Sequence, residues 1–301
     1  DARQQGPLAS CASACFGSSW RRHMKVVTTI AELNTFRATL PNPVGLVPTM
    51  GYLHEGHLSL VRRARTDCAS VVVTIFVNPT QFGENEDLDA YPRDLDRDFD
   101  LLSAEGVDLV WTPMDEEIYP VGYQTWVTVE ELSQILEGHH RPGHFRGVTT
   151  VVAKLFNATQ SDKAYFGQKD AQQAVVIQRM AHDLNFPLEV IVCPTLREPD
   201  GLAMSSRNTY LDPKQREAAT VLYRSLTAAV QAFEVGERDA EVLRNRMSEV
   251  LSTEPLAQPQ YVSVADPDTL EELNGPVERA LFSMAVYVGK TRLIDNMIVG
   301  D

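Results

Sequence analysis

Residues 44–64 read VGLVPTMGYLHEGHLSLVRRA, and this stretch decides the fold. The apolar run Val44–Val47 is typical of a buried strand, and Leu58–Ala64 has the amphipathic pattern of a helix. Gly51 permits a turn between them, and Gly56 lacks the Cβ that would keep a nucleotide from the backbone. A strand that turns directly into a helix presents the free N–H groups of the helix N-terminus. The stretch therefore predicts an anion-binding site.

Short apolar runs alternate with amphipathic stretches up to about residue 195. The further strands predicted are Val71–Val77, Val107–Trp111, Ala164–Phe166 and Leu188–Val192, and the further helices are Leu95–Leu102 and Ala174–Leu184. Strands that alternate with helices form parallel sheets with right-handed crossovers. We therefore expect an α/β fold with a Rossmann-like parallel sheet over residues 24–195.

The pattern changes after residue 195. Asp212-Pro213 is a helix-start signal, and one long helix is predicted from there to about Phe233, followed by a second helix over 240–251. Three strands follow, at Gln260–Val264, Ala280–Val288 and Thr291–Ile298. A Gly289-Lys290 turn between the last two is typical of a hairpin. Residues 196–301 are expected to form a smaller α+β C-terminal domain that closes over the active site.

Residues 1–23 differ from the rest of the chain. The segment lacks periodicity, contains several serines and ends in Trp20-Arg21-Arg22-His23, just before Met24. We interpret it as a non-core N-terminal extension upstream of a natural start at Met24. A Ser- and Arg-rich organellar targeting segment is the alternative.

Composition and charge exclude several classes of function. Of the 301 residues, 27 are Lys or Arg and 41 are Asp or Glu, and the net charge of −14 disfavours nucleic-acid binding. An anionic substrate would instead need a local basic pocket. No run of 18 apolar residues occurs, so no membrane span is expected. The four scattered cysteines fit a reducing cytoplasm better than a disulfide framework.

The first candidate site is the histidine pair His54 and His57. At a spacing of three residues both lie on one face of the helix start, where they can donate hydrogen bonds to phosphate oxygens. Two alternatives stay open: the histidines cap the helix, or they bind zinc. Zinc pairs usually lie four residues apart with further ligands nearby, and no HExxH pattern occurs here.

Three later loops carry the other candidate residues. Gln81 follows a strand in the sequence NPTQFG, and Lys169 follows another in GQKDAQQ, so both reach the rim where parallel sheets bind ligands. Asp170 can alternatively act as a helix cap. The segment 204–207, MSSR, offers two hydroxyls and an arginine as a phosphate clamp, although its composition also suits a linker.

Five long motifs now point to a family. They are PTMGYLHEGHLSLV at 48–61, FVNPTQFGENEDLDAYPR at 76–93, EGHHRPGHFRGV at 137–148, YFGQKDAQQ at 165–173 and REPDGLAMSSRNTYL at 197–211. Together they resemble the pantothenate synthetase family, the AMP-forming pantoate:beta-alanine ligases of the HIGH-motif nucleotidyltransferase superfamily. The resemblance extends from about Met24 to the end of the chain. The family often has GEKD where this chain has GQKD, and no role is assigned to Gln168.

The resemblance implies a two-step reaction. Pantoate attacks the α-phosphate of ATP, which releases pyrophosphate and leaves a pantoyl adenylate, and beta-alanine then displaces AMP to give pantothenate. The resemblance also implies Mg²⁺ with ATP, small-molecule substrates and neither a nucleic-acid nor a membrane partner. A cytoplasmic homodimer is expected. Which of Asp94, Asp96, Asp98 and Asp100 approaches the metal is left open.

The resemblance also implies roles for individual residues. The catalytic residues that contact the nucleotide phosphates would be His54, His57, Lys169, Ser205, Ser206 and Arg207. The ATP site would further include Pro48, Thr49, Met50, Gly51, Gly56, Gly167, Asp170 and Met204. Pantoate would be bound by Met50, Gln81 and Gln173.

Two other functions are alternatives to the ligase. A HIGH-motif nucleotidylyltransferase would transfer the nucleotide to a phosphorylated acceptor, and its acceptor pocket would need additional Arg or Lys near Gln81 and Gln173. A tRNA-binding, synthetase-like module is disfavoured by the acidic charge and by the lack of a basic appended domain.

Overall fold

The computed structural model of the chain describes residues 24–84 and 86–300 and contains two β-sheets. The predicted extension over residues 1–23 lies outside the described residues. Among the helices that are described, none combines the length and the apolar character needed to cross a membrane.

The larger sheet is built from six strands. In chain order these are β1 (Lys25–Val27), β2 (Val44–Thr49), β3 (Ser70–Ile75), β4 (Leu109–Trp111), β5 (Lys163–Gly167) and β6 (Glu189–Cys193). Their spatial order is β1-β4-β3-β2-β5-β6, and every neighbouring pair is parallel. The predicted Rossmann-like parallel sheet is confirmed.

Helices cover both faces of this sheet. They are α1 (Ile30–Arg37), α2 (Glu55–Asp67), α3 (Leu95–Ala104), α4 (Asp115–Ile118), α5 (Glu137–His140), α6 (His144–Thr159) and α7 (Ala171–Asp183). Buried side chains of α1, α6 and α7, such as Leu33, Val152 and Ile177, pack on one face. Val61 of α2 and Leu102 of α3 pack on the other face. The sheet is therefore buried on both sides, as its nearly continuous apolar strands require.

The C-terminal part has its own core. Its elements are α8 (Pro213–Ala218), α9 (Val221–Glu234), α10 (Ala240–Ser252), β7 (Ala257–Ala265), β8 (Ala280–Val288) and β9 (Thr291–Val299). The three strands form an antiparallel sheet in the order β7-β8-β9, and the β8–β9 hairpin is confirmed. The prediction of one helix from Asp212 to Phe233 is wrong. The N–H groups of Thr220 and Leu222 bond three residues back instead of four, and this tight turn separates α8 from α9.

The turn that follows β2 is held from outside by α3. Gly51 has a φ of +83°, and a Cβ there would lie 2.9 Å from Cγ2 of Ile75. The two N–H groups that follow, on Tyr52 and Leu53, donate to the carboxylate of Asp98 at 2.7 and 2.8 Å. Asp98 is fully buried. One carboxylate therefore satisfies two main-chain donors of the turn at once.

We expect Asp98→Ala to lower the free energy of unfolding by about 2–5 kcal/mol, because both N–H groups would lose their acceptor inside the protein. Asp96→Ala is the matched control, since Asp96 lies exposed on the same helix. Its loss should cost less than about 1 kcal/mol. Urea unfolding of both variants measures the difference, and equal losses would contradict this role for Asp98.

Candidate active site

The candidate site lies at the point in the sheet where the order in which successive strands are added changes from one side to the other. From the adjacent strands β2 and β5, the sheet continues to β3 and β4 on one side and to β6 on the other. Ligands of such sheets bind outside the carboxyl ends of the strands at this switch point. A cavity of about 240 Å³ opens there, and a larger one of about 800 Å³ lies beside it, toward the C-terminal sheet.

Nearly all of the residues predicted from the sequence meet at the smaller cavity. Those that line it are Pro48, Thr49, Met50, His54, Gly56, His57, Gln81, Gly167, Lys169, Asp170, Gln173, Met204, Ser205, Ser206 and Arg207. The exception is Gly51, which does not line the cavity and serves the turn instead.

The two histidines cap helix α2. His54 is the N-cap residue, and its Nδ1 accepts the N–H of Gly56 at 3.1 Å. Nδ1 of His57 accepts the N–H of His54 at 3.3 Å. The capping alternative is therefore correct as geometry, but it does not exclude chemistry. Because each Nδ1 accepts a hydrogen bond, the proton of each neutral ring lies on Nε2, which remains available as a donor.

Gly56 also serves the cap of α2. A Cβ at this position would lie 2.8 Å from both Nδ1 and Cε1 of the His54 ring. The glycine therefore makes room for the capping imidazole, and it lines the smaller cavity as well.

Both imidazoles are neutral at physiological pH. Burial, followed by the charge of Lys169, lowers the pKa of His54 to about 4. Burial and the neighbouring His54 and Lys169 hold the pKa of His57 well below its usual value. Within the described part of the chain, no group of three or more His, Cys, Asp or Glu side chains is arranged to hold a metal ion.

The C-terminal sheet holds the backbone of the lysine loop. Nδ2 of Asn296, in β9, donates to the carbonyls of Gln168 and Lys169 at 2.9 and 2.8 Å, and Nε2 of Gln168 donates to Oδ1 of Asn296 at 3.0 Å. Asp170 begins α7 but makes no capping hydrogen bond with its side chain, so the capping alternative for this residue is wrong. Its carboxylate lies 3.7 Å from Nζ of Lys169.

The arginine of the MSSR segment is already paired. Nε and Nη2 of Arg207 donate to the two carboxylate oxygens of Asp87 at 3.0 and 2.8 Å. Ser205 accepts the N–H of Arg207 with its hydroxyl at 3.3 Å, and Ser206 donates to the carbonyl of Tyr52 at 3.4 Å. The segment is therefore joined to the turn after β2, and Asp87 is a site residue that the sequence did not reveal.

Helix α6 and the segment before it supply further residues that sequence reasoning missed. Arg141 makes two hydrogen bonds of 2.6 Å to Glu86. Nε2 of His144 lies 3.0 Å from Nη1 of Arg141. Nδ1 of His144 lies 2.8 Å from the main-chain carbonyl oxygen of Gln81. Because arginine can only donate, Nε2 is the acceptor and Nδ1 carries the proton. Arg141 and His144 lie in the motif EGHHRPGHFRGV, but the sequence alone does not indicate their roles.

The remaining wall of the smaller cavity combines amide and apolar groups. Nε2 of Gln81 lies 3.3 Å from Sδ of Met50. Gln173 lines the same cavity from α7, and Val148 and Val152 of α6 line it with apolar side chains. The site thus joins a cluster of hydrogen-bond donors to a partly apolar pocket.

Comparisons with known proteins give the same picture. The family model for pantoate-beta-alanine ligase matches residues 25–298. The pantothenate synthetase of Roseiflexus castenholzii is 61% identical over 276 residues, which cover 92% of this chain and 99% of the relative.

Two solved structures are also similar. The pantothenate synthetase of Thermus thermophilus superposes with a TM-score of 0.87 at 49% identity, covering 91% of this chain and 99% of that one. The second is the pantoate-beta-alanine ligase of Francisella tularensis, solved in complex with beta-gamma ATP and beta-alanine. It superposes with a TM-score of 0.76 at 36% identity, and the match covers 91% of this chain and 97% of that one. By sequence and by fold, this chain belongs to the pantoate-beta-alanine ligase family.

Proposed function

We propose that this chain condenses pantoate with beta-alanine at the expense of ATP, through a pantoyl adenylate, and releases pyrophosphate and AMP. The observation that carries the proposal is the convergence of His54, His57, Lys169 and Arg207 on one cavity. These are the groups that an attack on a phosphate needs. The complex of the Francisella relative with beta-gamma ATP and beta-alanine supports two of these substrates, ATP and beta-alanine.

In the first step, a pantoate carboxylate oxygen attacks the α-phosphorus of ATP and pyrophosphate leaves. The Nε2–H groups of His54 and His57 would donate to phosphate oxygens as charge develops on them. Lys169 would provide a fixed positive charge, and the part of the Arg207 guanidinium not used by Asp87 would provide a second. Ser205 and Ser206 would complete the phosphate contacts.

In the second step, the beta-alanine amine attacks the carbonyl carbon of the adenylate and AMP leaves. The same donors would stabilise the phosphate of AMP as the leaving group. Gln81, Gln173 and Met50 would hold the pantoyl group through both steps. Pro48, Thr49, Gly56, Gly167, Asp170 and Met204 would surround the nucleotide.

Magnesium fits this site only as an ion that arrives with ATP. Mg²⁺ usually binds through one or two carboxylates together with substrate phosphates. None of Asp94, Asp96, Asp98 and Asp100 lines either cavity. Glu86 and Asp87 are engaged by arginines. Asp170, whose side chain is 45% exposed, would be the carboxylate that faces the ion, which would neutralise charge on the triphosphate.

The division into domains and the assembly belong to the same proposal. Residues 24–195 would bind ATP and pantoate, and residues 196–301 would close over the site, since they contribute Arg207 and the Asn296 contacts to the lysine loop. A cytoplasmic homodimer is supported by the family resemblance.

The proposed order of steps predicts different requirements for two assays. Exchange of pyrophosphate into ATP should need pantoate only, because the carboxylate is activated before an amine is required. AMP release should need both pantoate and beta-alanine. Exchange that proceeds without pantoate would contradict the ligase function.

The double role of His54 can be separated with one substitution. Asparagine is a favourable N-cap residue, so His54→Asn should change stability by less than about 1 kcal/mol while removing the Nε2–H donor. Single-turnover adenylation should then fall by about 10²–10³, as for the loss of one oxyanion donor. Thermal melts measured alongside provide the control. A variant that melts normally and adenylates pantoate normally would remove His54 from the mechanism.

The lowered pKa of His54 predicts how stability and rate depend on pH. Because the folded-state value of about 4 lies below the usual 6.5, the stability due to the neutral ring is present above pH 6.5 and is lost as the pH falls toward 4. His54→Asn should therefore lose less stability than the unaltered chain over this range. The adenylation rate should show no step near pH 6.5, and a step there that the variant lacks would show that His54 ionises normally.

A further inference from the structure

A buried hydrogen-bond network lies directly behind Gln81. Its centre is Asn78, which is 1% exposed and follows β3. Oδ1 of Asn78 accepts from the hydroxyls of Tyr119 and Thr80 at 2.8 and 2.9 Å, and Nδ2 donates toward Gln81 at 3.0 Å. Burial raises the pKa of Tyr119 to about 12, so its hydroxyl stays protonated and can donate.

Two main-chain groups determine which way the Asn78 amide points. The N–H of Thr80 lies 3.4 Å from Oδ1, and the carbonyl of Gly147 lies 3.2 Å from Nδ2. A main-chain N–H can only donate, and a carbonyl can only accept. The amide therefore has a single orientation, which does not depend on how the two hydroxyls rotate.

The orientation of Asn78 determines that of Gln81. The atom of Gln81 that faces Nδ2 of Asn78 must be an acceptor, so it is Oε1. Nε2 then lies on the other side, 3.3 Å from Sδ of Met50, where both side chains line the smaller cavity. Nδ1–H of His144 donates to the main-chain carbonyl of Gln81 and so holds the backbone of Gln81. Gln81 thus presents an N–H₂ group, and not a carbonyl, to the cavity.

Asn78 itself has no hydrogen-bonding capacity left for a ligand. Both hydrogens of Nδ2 are used, by Gly147 and by Gln81, and Oδ1 already accepts from Thr80 and Tyr119. The residue can therefore influence a substrate only through Gln81.

We propose that Asn78 is a positioning residue that fixes Gln81 as a hydrogen-bond donor, so that this point of the pocket selects a hydroxyl or carboxylate oxygen and disfavours an ammonium group. The inference rests on the proposed binding of pantoate by Gln81. It assigns the pocket a preference for hydroxy acids over amino acids.

The decisive test compares an isosteric substitution with one that leaves a cavity. In Asn78→Asp a carboxylate oxygen replaces Nδ2 and repels Oε1 of Gln81, so the amide should turn over and present its oxygen to the substrate. The KM for pantoate should rise about tenfold or more, while the KM for ATP changes less than about threefold. In Asn78→Ala the Gln81 amide is free to take either orientation, so the rise should be smaller.

The comparison of the two KM values separates positioning from packing. A purely structural role predicts that the KM values for pantoate and for ATP rise together, because a buried carboxylate facing the carbonyl of Gly147 would disturb the fold around the whole cavity. Tyr119→Phe is the control for stability: it removes a buried hydroxyl but leaves both main-chain contacts of Asn78. It should melt at a lower temperature with the KM for pantoate within about threefold of the unaltered chain.

Three results would overturn the inference: an unchanged KM for pantoate in Asn78→Asp, equal changes in both KM values, or a larger effect in Asn78→Ala. Titration calorimetry of pantoate onto each folded variant gives the same ranking without turnover. If Asn78→Asp does not fold, Asn78→Ala keeps the test: positioning still predicts a rise in the KM for pantoate with the KM for ATP changed less than about threefold, whereas a structural role changes both KM values equally. The pantoate-dependent exchange of pyrophosphate into ATP, measured on the unaltered chain, tests the proposed function separately.

Discussion

The geometry of the site depends on where the main-chain N–H groups between β2 and α2 find their acceptors. Asp98 accepts two of them, on Tyr52 and Leu53. The histidines accept two more, on His54 and Gly56. Each of these four bonds is accepted by a side chain, because the turn lies outside the sheet and the first N–H groups of a helix have no acceptor within the helix. The same bonds that satisfy the backbone therefore determine which nitrogen of each imidazole carries its proton.

This arrangement explains what could be predicted from the sequence and what could not. The strands β2, β3 and β5 are short apolar runs, and the turn after β2 carries its glycines and histidines in a local pattern, so both were readable. Helix α6 was not. Twelve of its 16 residues are buried, so its polar face is narrow, and its segment VTTVV has the β-branched composition of a strand. The Asp87 and Asn78 contacts could not be predicted either, since they join residues that only the folded geometry brings together.

The local charge of the site differs from that of the whole chain. The chain is strongly acidic, yet Lys169, Arg141 and Arg207 meet at the two cavities. Both arginines are partly neutralised, by Glu86 and Asp87, which are neighbours in a single loop. Bidentate pairs also fix the planes of the guanidinium groups. The loop thus holds two cations of the pocket in defined orientations.

The apolar contribution of α6 to the smaller cavity has a consequence of its own. Gly147 brings the helix so close to the loop after β3 that a Cβ at this position would lie 2.4 Å from the carbonyl oxygen of Thr80. The valines that follow Gly147 form an apolar wall of the cavity. A mixed anhydride of a carboxylic acid and a phosphate is readily hydrolysed. The valine side chains offer an attacking water molecule no hydrogen-bond partner on this side of the cavity, so they would favour attack by the amine over hydrolysis of such a species.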